Sequence, residues 1–269
     1  MPSSKHRGFS VECTIVGALA TVGGVWFANW ILGHTVGATL GEAMPYVGHA
    51  AGAALAGAAL AACARVRPTR EPLAAGMVAV AMMAAIFLVP PAPKFCWVPA
   101  RTGFPWLVAA ALMALSGGAA ALGAVVGRAI TARQARAALL VVQSGITTLG
   151  LTVALLSTIA AFMSANVDRS VPAMILVVAF SLVASGFATQ RMAPVHAPWL
   201  SSGGTPLAVA IAFAVRGFEA DWTETVAFAS CGLVSWLVGY LGAQLAWRWL
   251  GRREEPDRHH HDDLSNIFS

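Results

Sequence analysis

The sequence predicts an all-α, polytopic membrane protein of about eight transmembrane helices, and three observations support this prediction. Hydrophobic residues make up 58% of the 269-residue chain and charged residues only 11%, whereas a soluble domain contains about 25% charged residues. Apolar runs of about twenty residues, long enough to cross a hydrocarbon core of about 30 Å, recur along the chain. The alternating segments of about ten residues that are typical of transmembrane β-barrels do not occur.

Each predicted span is an apolar run bounded by charged residues, Gly or Pro. The first follows Lys5 and Arg7 and is too long for the h-region of a signal peptide, so we interpret it as a true span. The seventh is the shortest, and it crosses the membrane only if upstream residues such as Trp199 and Leu200 contribute. The eight spans cover about residues 14–32, 45–64, 73–89, 106–126, 138–163, 172–188, 207–215 and 225–247.

Prolines and arginines mark the ends of most spans. Pro45 and Pro172 lie at the starts of the second and sixth spans, and Pro90 ends the third. Arginines follow the four spans that are predicted to end on the same side of the membrane, at Arg65, Arg128, Arg191 and Arg248.

The basic residues predict that both termini are cytoplasmic. Of the 17 Lys and Arg residues, this orientation places 13 on the inner side, as the positive-inside rule requires. The excess of Arg over Lys suggests a GC-rich genome, and we expect a bacterial inner membrane. The four basic residues left in outer loops are Lys94, Arg101, Arg169 and Arg216.

Similar anchors recur in the two parts of the chain and predict a four-plus-four internal repeat. One constant offset relates Pro45 to Pro172, Thr21 to Thr148 and Gly23 to Gly150. An even number of spans per half makes the two halves parallel. The predicted organisation is a cytoplasmic N-terminus (1–13), a first half (14–128), a basic linker (129–137), a second half (138–250) and a disordered polar tail (251–269).

Two groups of polar side chains inside the spans are candidates for a pathway or another function. His49 lies about one turn inside the second span, and an ionisable residue at such a depth is a functional hypothesis in its own right, although a packing histidine is the alternative. The fifth span has the most polar face, formed by Gln143, Ser144, Thr147 and Thr148.

The second span also carries a ladder of small residues that favours helix packing. Gly48, Gly52 and Ala56 are four residues apart, and Gly57 follows His49 on the neighbouring row. Small residues at this spacing let another helix approach closely. The helix that packs there belongs either to this chain or to another subunit, which would make a homo- or hetero-oligomer.

Catalytic and cofactor sites are not predicted. Ser116-Gly117-Gly118 together with the His49 segment resembles the small-residue patches of rhomboid intramembrane proteases, but Ala114 stands where that family has Gly and the His precedes the Ser. These departures exclude that family. No phosphate-binding loop, HExxH motif or paired membrane carboxylates occur, so we predict no metal, no cofactor and no nucleic-acid partner.

The leading functional interpretation is a permease-like protein that moves or binds a small or amphipathic solute between its two halves, alone or in a larger complex. A non-catalytic assembly subunit is the alternative, and an enzyme acting in the lipid phase ranks third. A permease predicts a wet cavity bounded by the third, fifth and seventh spans. An assembly subunit predicts a filled core and an exposed small-residue groove on the second span.

Overall fold

A computed structural model describes residues 10–63, 70–88, 105–130, 133–162, 171–193, 197–216 and 222–265. All regular structure in these ranges is helical. Residues 1–9, which make up most of the predicted N-terminal segment, lie outside them, as do Lys94, Arg101 and Arg169 of the predicted outer loops. The helices are α1 (Val11–Thr35), α2 (Gly37–Leu40), α3 (Met44–Cys63), α4 (Arg70–Leu88), α5 (Pro105–Ala129), α6 (Arg133–Phe162), α7 (Val171–Met192), α8 (Gly204–Arg216) and α9 (Trp222–Ser265), with a 3-10 turn at Gly41–Ala43.

Local sequence explains where several helices begin. Ser10 caps α1, since its side chain accepts a hydrogen bond from the backbone N–H of Cys13 at 3.2 Å. Prolines stand at the first or second position of α3, α5 and α7, where the missing N–H is not needed. The prolines of α3 and α7, Pro45 and Pro172, are those that mark the starts of the second and sixth predicted spans.

Five helical segments of the described chain are long and apolar enough to cross a membrane. The described ranges are therefore all-helical, as predicted, and these segments indicate a multi-pass membrane protein. The segments are Val11–Thr35, Leu107–Ala129, Gln134–Thr158, Pro172–Met192 and Trp222–Trp249.

Three features of the structure differ from the predicted spans and segments. The helix α8 has 13 residues and is about 20 Å long, which is shorter than the hydrocarbon core. The helix α9 continues to Ser265 and therefore includes most of the 251–269 segment that we predict to be disordered. The linker between α5 and α6 is shorter than the predicted 129–137, since α6 already begins at Arg133.

Two four-helix groups meet at α1 and α6. In the first group α1 packs against α3 and α4, and α5 packs against α3 and α4. In the second group α6 packs against α7 and α8, and α9 packs against α7 and α8. The two groups are joined mainly by the packing of α1 against α6.

Small residues set these helix crossings. A Cβ atom on Gly23 would overlap the backbone oxygen of Ile146, and one on Gly150 would overlap the backbone oxygen of Leu19. Such contacts bring two helix backbones together without intervening side chains, which is how membrane helices gain packing energy when lipid supplies no hydrophobic driving force.

Candidate functional site

The predicted polar face of α6 lies inside the protein. Gln143, Ser144, Thr147 and Thr148 are all buried, with at most 7% of any of these residues exposed. Residues four apart on a helix share one face, and Gln143 Nε2 accordingly donates to Thr147 Oγ1 at 3.2 Å. The hydroxyl of Thr148 donates to the backbone oxygen of Ser144 at 2.9 Å, so the helix itself satisfies part of this polar face.

A second row of polar side chains comes from α7. Ser185, Thr189 and Gln190 are buried, and the hydroxyls of Ser185 and Thr148 are hydrogen-bonded to each other across the α6–α7 interface. Consecutive helices joined by a short connection run antiparallel. Ser144 lies one turn before Thr148, and Thr189 lies one turn after Ser185. Ser144 and Thr189 are therefore at the same height along α6 and α7.

The turn after α7 contributes a further polar side chain to this group. Ser201 is fully buried and donates to Gln190 Oε1 at 2.6 Å. Ser202, its neighbour, bonds back to the backbone oxygen of Trp199 at 3.1 Å. We name the whole group the α6–α7 polar cluster, and its members are Gln143, Ser144, Thr147, Thr148, Ser185, Thr189, Gln190 and Ser201.

Two atoms of the α6–α7 polar cluster are left open. Within the described ranges, neither Gln143 Oε1 nor Thr189 Oγ1 has a hydrogen-bond partner. We call these two atoms the open oxygens. A buried polar atom without a partner costs about 1–3 kcal/mol, and the great majority of such atoms in proteins are paired. The open oxygens are therefore the two positions of the cluster where a hydrogen-bond partner is missing.

His49 belongs to a different part of the molecule. Its side chain is buried where α3 packs on α5, with Nδ1 lying 3.3 Å from Ser116 Oγ. Its Nε2 has no hydrogen-bond partner among the residues that the structure describes. His49 bonds to α5, whereas Thr148 bonds to α7. His49 therefore has its hydrogen-bond contact on α5, and none of the α6 candidates Gln143, Ser144, Thr147 and Thr148 shares it.

The small residues of α3 all contact helices of this same chain. A Cβ atom on Gly48 would overlap the side chain of Asn29, and Gly52 and Gly57 similarly press against the backbones of Gly24 and Ala120. Ala56 is buried in a cluster with Ala20 of α1 and Ile146 of α6. The ladder is thus an internal packing face that α1, α5 and α6 cover.

The α7 residues have a signal in the sequence, although they are not among the predicted site residues. Ser181, Ser185 and Thr189 repeat every four residues, so they form a hydroxyl stripe like that of α6. We treated this stretch only as the end of an apolar span. Ser201 gave no such signal, because it lies in a turn whose position depends on the tertiary fold.

A pocket of about 680 Å³ lies where α6, α8 and α9 meet, and none of its described lining residues belongs to the α6–α7 polar cluster. Among the described residues, Val141 is the only contribution of α6 to its wall, and the remaining lining comes from α8, α9 and the turn before α8, including Trp199, Pro206, Phe228 and Trp236. The lining is almost wholly apolar, so this pocket differs in position and character from the wet cavity that a permease predicts. No protein-family model, curated protein or solved structure matches the chain.

Proposed function

We propose that this chain is a permease-like protein that binds and moves a small, uncharged, polar or amphipathic solute at the α6–α7 polar cluster. The observation that carries the proposal is the pair of open oxygens on fully buried side chains, Gln143 and Thr189. Hydrogen-bonding groups kept unsatisfied inside a membrane are expensive and usually functional.

The chemistry of the cluster supports a neutral solute. All eight members are amides or hydroxyls, which both donate and accept hydrogen bonds. A charged solute would need a counter-charge to offset desolvation, and the α6–α7 polar cluster has none among its members. Alcohols, polyols and amides match this set of groups.

We further propose that the protein is a four-plus-four repeat with eight spans. Reciprocal contacts support the repeat, because Gly23 meets Ile146 and Gly150 meets Leu19. The offset that relates Gly23 to Gly150 also relates Leu19 to Ile146, so exchanging the two halves turns each contact into the other. Contacts that interchange in this way are the mark of two-fold related surfaces.

The outer helices support the same pairing. In the first group Gly57 presses on Ala120 and Gly123 presses on Ala54. In the second group Gly186 presses on Gly239 and Gly242 presses on Val183. Adding one constant to the α3 residue numbers and another to the α5 residue numbers converts the two contacts of the first group into the two contacts of the second group. The α3–α5 and α7–α9 interfaces therefore have the same geometry.

The pairing also indicates whether helix packing requires the polar side chains of the α6–α7 polar cluster. In the first half, apolar or small residues occupy four positions of the cluster, whereas the position of Thr148 keeps a buried threonine, Thr21. The four are Val16 for Gln143, Gly17 for Ser144, Ala20 for Thr147 and Leu60 for Thr189. A Cβ on Gly17 would lie 2.8 Å from Leu60 Cδ2, which agrees with the level that we derive for Ser144 and Thr189. Since similar packing forms in the first half without polar groups at these four positions, we infer that the added polarity of Gln143, Ser144, Thr147 and Thr189 serves a solute.

The proposed topology places both termini in the cytoplasm, within a bacterial inner membrane. It requires α3, α4 and α8 to cross with the five longer and more apolar segments, with residues before Gly204 extending the short α8. A basic cytoplasmic side, with Arg191 and Arg248 among its residues, supports this orientation.

The assembly-subunit alternative has less support. It needs a small-residue groove open to a partner, but Gly48, Gly52 and Gly57 on α3 already face α1 and α5. A dry and fully satisfied interior would also suit that function, whereas the α6–α7 polar cluster keeps two open oxygens.

Osmotic swelling of proteoliposomes tests the permease proposal. Vesicles that contain the full chain are mixed with glycerol, erythritol or urea, and light scattering follows solute entry. We expect the wild type to admit at least one of these solutes faster than empty vesicles. Thr189→Val should slow that entry about tenfold, the equivalent of one lost hydrogen bond.

Thr158→Val is the matched control, because Thr158 is exposed on α6, away from the cluster, and bonds to the backbone oxygen of Ala154. The proposal fails if the wild type admits none of the solutes faster than empty vesicles. It also fails if Thr189→Val and Thr158→Val behave alike.

A further inference from the structure

The pocket beside α8 and α9 is elongated and faces the membrane. Its α9 lining extends from Thr225 to Trp236, a distance of about 16 Å along the helix axis. The aromatic side chains of Trp199, Phe228 and Trp236 line it. This length is about half of a hydrocarbon core, and it runs along a helix that is long and apolar enough to cross the membrane.

The open side of the pocket continues into a lipid-facing surface. Leu233 lines the pocket and is itself 56% exposed, and Leu237 and Leu241 extend the same exposed stripe along α9. In a bilayer this stripe lies against acyl chains. A pocket that opens there is filled by the same chains, because empty apolar space forfeits dispersion contacts on every wall.

The pocket has a cause in the sequence. In the first group Gly117 lets α5 lie against α4, where an added Cβ would be 3.1 Å from the backbone oxygen of Leu73. By the pairing of α5 with α9 proposed above, Trp236 stands at the position of Gly117. An indole cannot fit where a glycine fits, so α8 and α9 stay apart and leave about 680 Å³ between them.

The indole of Trp236 also fixes the inner wall of the pocket. Its Nε1–H donates to the backbone oxygen of Trp199 at 3.4 Å. The polar edge of the ring is thereby turned to the protein and its apolar face remains at the pocket. A chain of methylene groups needs such a lining, and the pocket's volume falls within the range of about 300–1,000 Å³ that is usual for ligand pockets.

We infer that the α8–α9 pocket is a binding site for one acyl chain of a bilayer phospholipid. This site is distinct from the α6–α7 polar cluster and does not depend on the solute proposed for it. The bound chain completes the packing between the short helix α8 and α9, where the protein alone leaves a gap.

Native mass spectrometry of the delipidated full chain tests this inference. The protein in detergent is titrated with dioleoyl phosphatidylcholine, and the bound lipids are counted. We expect one phospholipid to bind more tightly than the rest. Gly232→Leu should weaken that binding about tenfold, because the new side chain displaces about two methylene groups. An added Cβ at Gly232 meets its nearest atom only at 3.8 Å, so the backbone accepts the change.

Gly118→Leu is the matched control, since Gly118 lies in α5 with open space around its Cβ position. Val209→Phe fills the same pocket from α8 and serves if Gly232→Leu does not fold. Glycerophosphocholine, the headgroup without chains, should not compete. The inference is overturned if no single lipid binds tightly, if the pocket variants bind it as well as Gly118→Leu does, or if the headgroup alone competes.

Discussion

Gly23 of α1 and Gly150 of α6 lie directly against each other, with the backbone of each helix where the side chain of the other would be. This contact joins the two four-helix groups. Its two sides are alike, because Gly23 meets Ile146 and Gly150 meets Leu19 at the same relative position. The contact is therefore the natural place to test how the groups hold together.

Gly150→Ala should destabilise the protein strongly. The new methyl group would overlap the backbone oxygen of Leu19, and a backbone cannot rotate away as a side chain can. We expect a loss of about 1–3 kcal/mol or more, the range for overpacked cores, seen as a lower thermal midpoint in detergent. Gly118→Ala, which meets no atom within 4 Å, should leave the midpoint unchanged or raise it. Equal midpoints would show that α1 and α6 do not touch at this level.

The double variant Gln143→Leu/Thr147→Val should fold normally and lose solute entry. It removes one open oxygen together with its hydrogen-bonded neighbour, and replacing both members of a buried pair by apolar groups is often neutral or stabilising. We expect a thermal midpoint equal to or above that of the wild type and slower swelling of proteoliposomes. A much lower midpoint would mean that these side chains serve the fold instead.

The hydrogen bond between Thr148 and Ser185 should be worth about 1 kcal/mol. A double-mutant cycle with Thr148→Val and Ser185→Ala isolates it, because each change removes one hydroxyl and little volume. Ser185→Ala restores the residue type of Ala56, its partner in the proposed repeat. Strictly additive losses of stability would contradict a direct bond between the two hydroxyls.

His49 and Ser116 should also show energetic coupling. Ser116→Ala removes the hydroxyl that lies beside His49 Nδ1. Nδ1 then joins Nε2 as a buried ring nitrogen without a hydrogen-bond partner, at a cost of about 1–3 kcal/mol. In a His49→Leu background the same change should matter much less, because no imidazole remains. Thermal unfolding of the four proteins measures the difference, and equal effects in both backgrounds would rule out the contact.

The sequence located the apolar helices and four of the eight residues of the α6–α7 polar cluster. It identified the hydroxyl face of α6 through Gln143 and Thr147, since residues four apart share a face in any α-helix. It also located the small-residue ladder of α3. It did not show that α1, α5 and α6 cover this ladder. A row of small residues in the sequence does not indicate whether the helix that packs on it belongs to the same chain or to another subunit.

The tertiary structure changed how the polar residues are grouped. His49 and Ser116 were both noted in the sequence, yet only the packing of α3 on α5 brings them within 3.3 Å.

Packing also changed the alignment of the two proposed halves. Matching Pro45 to Pro172 pairs Gly57 with Ala184, whereas the helix contacts pair Gly57 with Gly186. Prolines mark where a helix begins, but packing depends on where two helices cross.

The sequence by itself determined that this is a multi-pass helical membrane protein, because composition and the length of apolar runs are properties of each segment alone. Only the tertiary structure decided which buried polar groups meet, which of them stay open and where an apolar pocket remains. Those features depend on the crossing of helices far apart in the chain, such as α1 with α6, and on single residues at the crossings, such as Gly117 and Trp236.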